Sequence, residues 1–256
     1  VSSRTPGRRA ARFVVDKAVR PVAARRDWLR EHVVVLALLV LGVVLSLGLT
    51  ASAAQVYESV EDGGHLAGLD QPVLRSAERM RTPANKEAVT WFTDLGGPLW
   101  FPVIAGVILL AVALWRRSVE PLVLGAIGLA GGLAMTSVGK AVIGRARPPL
   151  RDAVPPYESS PSFPSGHALM ATVLAGIVGY LLLRAVLRPW LRALVVALCA
   201  LWALAMGLSR VFLGHHWLTD VCAGWVLGLG WVAAIVTLHQ AWLLTRDADG
   251  VEPEVR

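Results

Sequence analysis

The chain has 256 residues, of which 55% are hydrophobic and 17% charged, with a mean hydropathy of +0.57 and a formal net charge of +7. A soluble domain of this length carries more charge than that, and its apolar residues are dispersed rather than gathered into blocks. The composition therefore excludes an ordinary water-soluble enzyme and points to a protein whose surface meets hydrocarbon.

In chain order, a basic tail comes first: residues 1–32 hold Arg4, Arg8, Arg9, Arg12, Lys17, Arg20, Arg25, Arg26 and Arg30 against Asp16, Asp27 and Glu31. Six apolar blocks follow, Val33 to Ala54, Leu95 to Trp115, Pro121 to Gly139, Ala168 to Leu183, Ala193 to Leu208 and Val221 to Leu244. About 20 apolar residues span the hydrocarbon core as a helix, and uncharged flanks extend the two shorter blocks toward that length. The first block is too long for a signal-peptide core and is followed by five more, so it reads as a retained span despite the small residues Ala51-Ser52-Ala53. The predicted fold is all-α, a polytopic membrane bundle of six transmembrane helices over 33–246 with a core at 95–244, and a short cytoplasmic tail at 247–256.

Between the first two spans, Asp70 to Arg81 and then Thr82-Pro83, a cap followed by proline at the first helical position, predict one or two short helices at the outer surface. Gly128/Gly132 and Gly224/Gly228 have GxxxG spacing, which predicts close packing within the bundle, with a homodimer contact as the weaker alternative. Cys199 and Cys222 fall at different depths of neighbouring spans and are not expected to pair.

Charge orients the chain. The N-terminal tail shares a side with Arg116, Arg117, Arg184, Arg188, Arg192 and Arg246, whereas the loop from about Gln55 to Asp94 has more acids than bases. The positive-inside rule puts both termini in the cytoplasm of a multi-pass cell-membrane protein. Trp28, Trp115, Trp190 and Trp242 at inner boundaries, and Trp91, Trp100 and Trp217 at outer ones, agree with that placement. Anionic lipid accounts for the basic tail, so no nucleic-acid partner is expected.

Three polar segments stand at span boundaries on the outer side. They are Lys140 to Pro148, Pro164-Ser165-Gly166-His167, and Ser209 to Asp220. Bundling brings Lys140, Arg147 and Arg210 together, and three cations in one small volume require an anion between them. The arginine fork and the lysine point charge suit phosphate oxygens, and the helix start at Ser165-Gly166 offers N–H donors. His216 and Asp220 are four residues apart, on one helix face if the sixth span starts there, so the carboxylate can fix the imidazole tautomer and free the other nitrogen for attack. His167 arrives from a different helix and can protonate a leaving oxygen, then activate water. A cluster of cations is a poor metal site, so a metal is disfavoured there.

Together these segments resemble the signature of the type-2 phosphatidic acid phosphatase family, K-x6-R-P, P-S-G-H and S-R-x5-H-x3-D, matched at every specified position. The resemblance covers roughly Leu95 to Leu244. It implies a helical lipid phosphatase that needs no cofactor, with His216 as nucleophile, Asp220 orienting it and His167 as general acid and base. Lys140, Arg147, Ser165, Gly166 and Arg210 would bind phosphate. His215 stands where an apolar residue is frequent and Leu218 where proline is. Arg145 reads either as a further phosphate contact or as an exposed loop residue.

The implied reaction is hydrolysis of a phosphomonoester or diphosphate of polyprenyl diphosphate, phosphatidic acid or phosphatidylglycerol phosphate type at the outer membrane face. Rival readings are a lipid phosphotransferase with the same intermediate, a vanadium haloperoxidase, which six spans oppose, and a non-enzymatic anion-binding or transport protein.

Overall fold

The structure is a computed structural model that describes residues 67–249, with side chains to residue 246, and a few isolated helical positions between residues 33 and 58. The basic tail, the first predicted span as a continuous element and the end of the C-terminal tail lie outside the described residues. The chain divides into a unit formed by residues 43–236 and a second formed by 1–42 and 237–256. In the second, His239 stacks on Trp242 with ring centroids 5.7 Å apart, and Arg246 lies 5.5 Å from the Trp242 ring. All site residues belong to the first.

Among the described residues there are seven α-helices and no strand: α1 (Asp70–Arg79), α2 (Pro83–Asp94), α3 (Trp100–Arg116), α4 (Glu120–Ile143), α5 (Gly166–Leu183), α6 (Pro189–Phe212) and α7 (Leu218–Asp249). Four of them, α4 to α7, are long and apolar enough to cross a membrane, and α3 is a shorter apolar helix of 17 residues. The expected all-helical fold is therefore present, with four candidate spans among the described residues where the sequence predicts six. The predicted start of the second span at Leu95 is shifted because Leu95 to Leu99 form a turn between α2 and α3.

Helix α5 is the central element. Just over half of its spanning window is buried (56%), against 17% for α6. Its buried Leu169, Val173, Leu174, Ile177 and Leu181 pack with Phe101, Ala105 and Leu109 of α3, Leu124 of α4 and Ile235 of α7. Close approach depends on the glycine pairs. A side chain at Gly128 would collide with Ile177, and one at Gly132 would come within 2.9 Å of Met170 Sδ. On α7, a Cβ at Gly224 would lie 2.8 Å from the Ser165 carbonyl oxygen, and one at Gly228 would lie 3.0 Å from that of Leu169. Both GxxxG pairs thus pack α4 and α7 against α5, as the bundle reading expects.

Outward-facing Val103, Val107, Leu194, Leu198, Leu201 and Leu204 are exposed, the pattern hydrocarbon solvates and water does not. The two short helices expected between the first two spans are also present, as α1 and α2. Thr82 and Asn85 form a reciprocal capping box with Pro83 at the first turn, so α2 starts where the sequence predicts. The two cysteines are free, as expected.

Candidate active site

Antiparallel succession decides where the polar segments meet. Helices α4 and α6 end, and α5 and α7 begin, at one end of the bundle, so Lys140, Arg210, His167 and Asp220 share that end. The opposite helix ends carry Arg116, which donates to the Leu181 carbonyl at 2.9 Å, and Arg184, which is ion-paired with Glu120.

His216 sits in the turn between α6 and α7, created by Gly214 with φ of +74°. A Cβ at Gly214 would strike the Asp152 carbonyl oxygen and lie 3.1 Å from Ala153 Cα and from Arg81 Nη2, so both the dihedral and the space require glycine. Arg81 in turn donates to the carbonyls of Phe212 (2.7 Å) and Asp152 (2.6 Å), fastening the outer loop over this turn.

The predicted His216–Asp220 pair is formed. Nδ1 of His216 lies 3.4 Å from Asp220 Oδ2 and 3.3 Å from Ser162 Oγ, while Ser162 donates a short hydrogen bond to the same Oδ2. On the other side of the ring, Arg147 Nη1 lies 3.3 Å from Nε2. A guanidinium can only donate, so Nε2 is the unprotonated nitrogen and Nδ1 carries the proton. Burial pushes the His216 pKa down to about 4, against the opposing pull of Asp220, so the ring is neutral at pH 7. Its free lone pair faces the cations.

Asp220 is fully buried and multiply bonded. Oδ2 also accepts the Trp217 N–H at 2.9 Å, Oδ1 accepts from Arg145 Nη1 at 2.5 Å, and its backbone carbonyl accepts the Ser165 N–H at 3.0 Å. That last bond ties the start of α5 to the start of α7. Ser165 is the N-cap residue of α5, and its Oγ is buried with no hydrogen-bond partner, a donor left over at the mouth of the helix. Gly166 opens the first turn beside it. His167 is partly exposed, within electrostatic range of Arg210, Glu158 and His216, and packs against Gly96, where an added Cβ would lie 2.9 Å from its ring.

The three expected cations converge through the loop between α4 and α5. Lys140 Nζ donates to Ser160 Oγ (2.9 Å) and the Pro161 carbonyl (2.5 Å). Arg147 holds the Ser160 carbonyl (2.6 Å), Ser160 Oγ (3.1 Å) and the His215 carbonyl (2.6 Å). Arg210, 3% exposed, donates to Thr93 Oγ1 at 3.2 Å. The anion that this cluster demands is supplied internally. Glu158 Oε2 accepts from Arg147 at 3.0 Å and Oε1 is ion-paired with Arg210. Burial raises the Glu158 pKa, but Arg210 and then Arg147 outweigh it and hold the carboxyl at about 2. Beside it a cavity of about 520 Å³ is lined by Arg145, Arg147, Glu158, Ser159 and Ser160.

Several functional contacts escape the sequence reading. Glu158 is the one charged residue between Ala153 and Ser165, and Ser162 lies three residues before Ser165; those are the signals that could have found them. Asp70 and Thr93, from the outer helices, carry no such signal. His215 is not a second imidazole beside the lone pair: its Nε2 is bonded to the Val154 carbonyl at 2.6 Å. Arg145 is not an exposed loop residue: its half-buried side chain is ion-paired with both Asp70 and Asp220, at the edge of the same cavity.

Residues 121–244 match the PAP2 superfamily. The chain is 31% identical over 163 residues to phosphatidylglycerophosphatase B of Bacillus subtilis (strain 168), covering 62% of this chain and 78% of that protein. It is 31% identical over 140 residues to undecaprenyl-diphosphatase of Sulfolobus acidocaldarius, covering 53% of this chain and 60% of that protein. In fold it resembles the transmembrane PAP2 type phosphatidylglycerolphosphate phosphatase of Bacillus subtilis, with a TM-score of 0.64 and 24% identity over 82% of this chain and 99% of that one. Aquifex aeolicus LpxE gives a TM-score of 0.51 at 24% identity over 67% of this chain and 95% of that one. The segments that carry Lys140, His167 and His216 thus lie on a multi-pass membrane protein that belongs to the PAP2 superfamily.

Proposed function

We propose that this protein is a metal-independent lipid phosphatase that cleaves a phosphomonoester or diphosphate through a phosphohistidine on His216. The observation that carries this reading is the polarity of the His216 ring: Nδ1 faces Asp220, and Nε2 faces a cation cluster neutralised by a carboxylate.

The chemistry follows from that arrangement. A substrate phosphoryl group takes the place of the Glu158 carboxylate among Lys140, Arg147 and Arg210, with Ser165 Oγ and the Gly166 N–H as further donors. The His216 Nε2 lone pair attacks phosphorus, the P–O bond to the lipid breaks, and protonated His167 gives its proton to the leaving oxygen. The phosphoimidazolium that forms is stabilised by its Nδ1–H facing the Asp220 carboxylate. Neutral His167 then takes a proton from water, whose oxygen attacks phosphorus as the P–N bond breaks. Inorganic phosphate leaves, and both histidines return to their starting states. Fixed cations and donors stabilise the charge that develops on the equatorial oxygens.

The names of two relatives support phosphatidylglycerol phosphate and a polyprenyl diphosphate as substrate classes to test first, with phosphatidic acid beside them. The basic ends at Arg116, Arg184 and Arg192 support cytoplasmic termini and an active site on the outer face. The test is phosphate release by detergent-purified protein with EDTA present, across lipid mono- and diphosphates, beside His216→Ala and His167→Ala. Release by the parent that both variants lose supports the reading. A folded parent that releases nothing until an acceptor alcohol is added would replace hydrolysis with transfer.

A further inference from the structure

Asp70 lies outside the part of the chain that matches the family, yet it reaches the site. It begins α1, is 4% exposed, and its carboxylate is fully engaged. Oδ1 accepts the Thr219 N–H at 2.9 Å, and Oδ2 accepts Thr219 Oγ1 at 2.7 Å and Arg145 Nη2 at 2.8 Å. Arg145 spends its other terminal nitrogen on Asp220 Oδ1 at 2.5 Å and Thr219 Oγ1 at 2.8 Å, and its guanidinium lies 5.6 Å from the Trp217 ring. The result is a linear chain of alternating charge, Asp70, Arg145, Asp220, that ends at His216 Nδ1.

Geometry and electrostatics both bear on the nucleophile. The bonds to Thr219 clamp the first turn of α7, so they fix where Asp220 points. Arg145 is a full positive charge on the carboxylate that must stabilise a cationic ring, and alone it would weaken that stabilisation. Asp70 offsets it. We infer that Asp70 and Arg145 are positioning residues for the reaction, a part-buried ion pair from α1 and the loop between α4 and α5 that sets the orientation and charge of Asp220 and, through it, the basicity of His216. Asp70 is committed to Thr219 and Arg145, and both terminal nitrogens of Arg145 are committed to Asp70, Thr219 and Asp220, although its side chain also lines the cavity beside Glu158. The inference rests on the proposed role of His216 as nucleophile.

The other charged groups around His216 are Arg147 and Glu158 of the outer loop, neighbouring His215, His167 on α5, Arg210 on α6 and Asp220 on α7, with Lys140 on α4 acting through Arg147 and Asp220. Asp70→Asn and Arg145→Met leave all of these in place, so the two variants differ in whether the negative end or the positive middle of the charge chain is removed.

The experiment is kcat/KM against pH on the best lipid phosphate, for the parent, Asp70→Asn, Arg145→Met and Arg145→Lys, with the thermal midpoint of each followed by tryptophan fluorescence. The acid limb should move in opposite directions, to higher pH in Arg145→Met and to lower pH in Asp70→Asn, by about half a unit each. In Arg145→Met kcat should fall about 100-fold with KM nearly unchanged, and Arg145→Lys should restore the limb and part of the rate. If KM rises while kcat holds, the pair binds phosphate and the inference fails. If activity falls only in step with stability, with the limb unmoved, the pair is merely structural and it fails again. Phosphate release by the parent, abolished by His216→Ala, tests the function reading separately. A parent without release would overturn both together.

Discussion

The carboxylate of Glu158 is ion-paired with Arg210, the most deeply buried cation of the expected phosphate cradle. Because the same carboxylate also holds Arg147, two of the three cradle cations already share an anion, and in the proposed mechanism a phosphoryl group binds by exchange with it rather than by simple addition. Leaving these cations unpaired in so dry a place would be costly.

Glu158→Gln should therefore lower the thermal midpoint in phosphate-free detergent buffer. Added inorganic phosphate should raise that midpoint more in the variant than in the parent, and product inhibition by phosphate should tighten about tenfold, the effect of roughly 1.4 kcal/mol. Equal phosphate-induced shifts in the two proteins would show that Glu158 does not compete for the site.

Asp220 lies 3.4 Å from His216 Nδ1, and in the proposed mechanism it fixes the tautomer and faces the charge that the ring acquires. Asp220→Asn retains the shape but can present its amide to Nδ1, so kcat should fall by about 10³-fold or more with KM little changed. Steady-state kinetics on one lipid phosphate check this. A loss confined to KM would mean that Asp220 acts on binding instead.

The two adjacent imidazoles make the fold sensitive to acid. Burial pushes the pKa of His215 to about 4, and that of His216 to about 4 as well, below the usual value of 6.5. A depressed histidine pKa means that the unfolded chain binds protons first, so stability is intact above pH 6.5 and is lost as pH falls from there toward 4. The upper bound is about 1.4 kcal/mol per pH unit for each ring. His215→Gln should make the thermal midpoint fall less steeply across that window, and an unchanged slope would contradict the account.

Gly214 is the hinge on which His216 is presented. Gly214→Ala introduces a Cβ at positive φ against backbone atoms, at a cost of about 1–3 kcal/mol. Both the thermal midpoint and kcat should drop, because the same turn sets the place of the nucleophile. A variant as stable and active as the parent would show that the turn can relax.

How far the sequence could be read follows from what each contact depends on. Spans α4 to α7 were legible because hydrocarbon imposes length and apolarity on every residue of a helix, and their predicted cores agree with the observed bounds to within a turn or so. The eight expected site residues were legible because each sits at a span boundary, where a charge or a helix-opening Ser-Gly needs a reason. Glu158 and Ser162 were not, since the loop that carries them has no periodicity and its path is set by Arg147 and Lys140. Asp70 was read only as part of an outer helix, because its link to Arg145 spans 75 positions and leaves no local pattern. Arg145 was ambiguous for the same reason: its burial depends on a partner that only the fold supplies.

Acid–base stability of the trapped enzyme gives the most direct test of His216 as nucleophile. The parent and His167→Ala are mixed with phosphate-labelled lipid substrate, quenched within milliseconds in denaturant, and digested. Label that is stable to alkali, labile to acid, located on the peptide containing His216, increased in His167→Ala and absent from His216→Ala is the predicted result. Steady phosphate release by the parent with no label on that peptide at any time, or release that persists in His216→Ala, would contradict it.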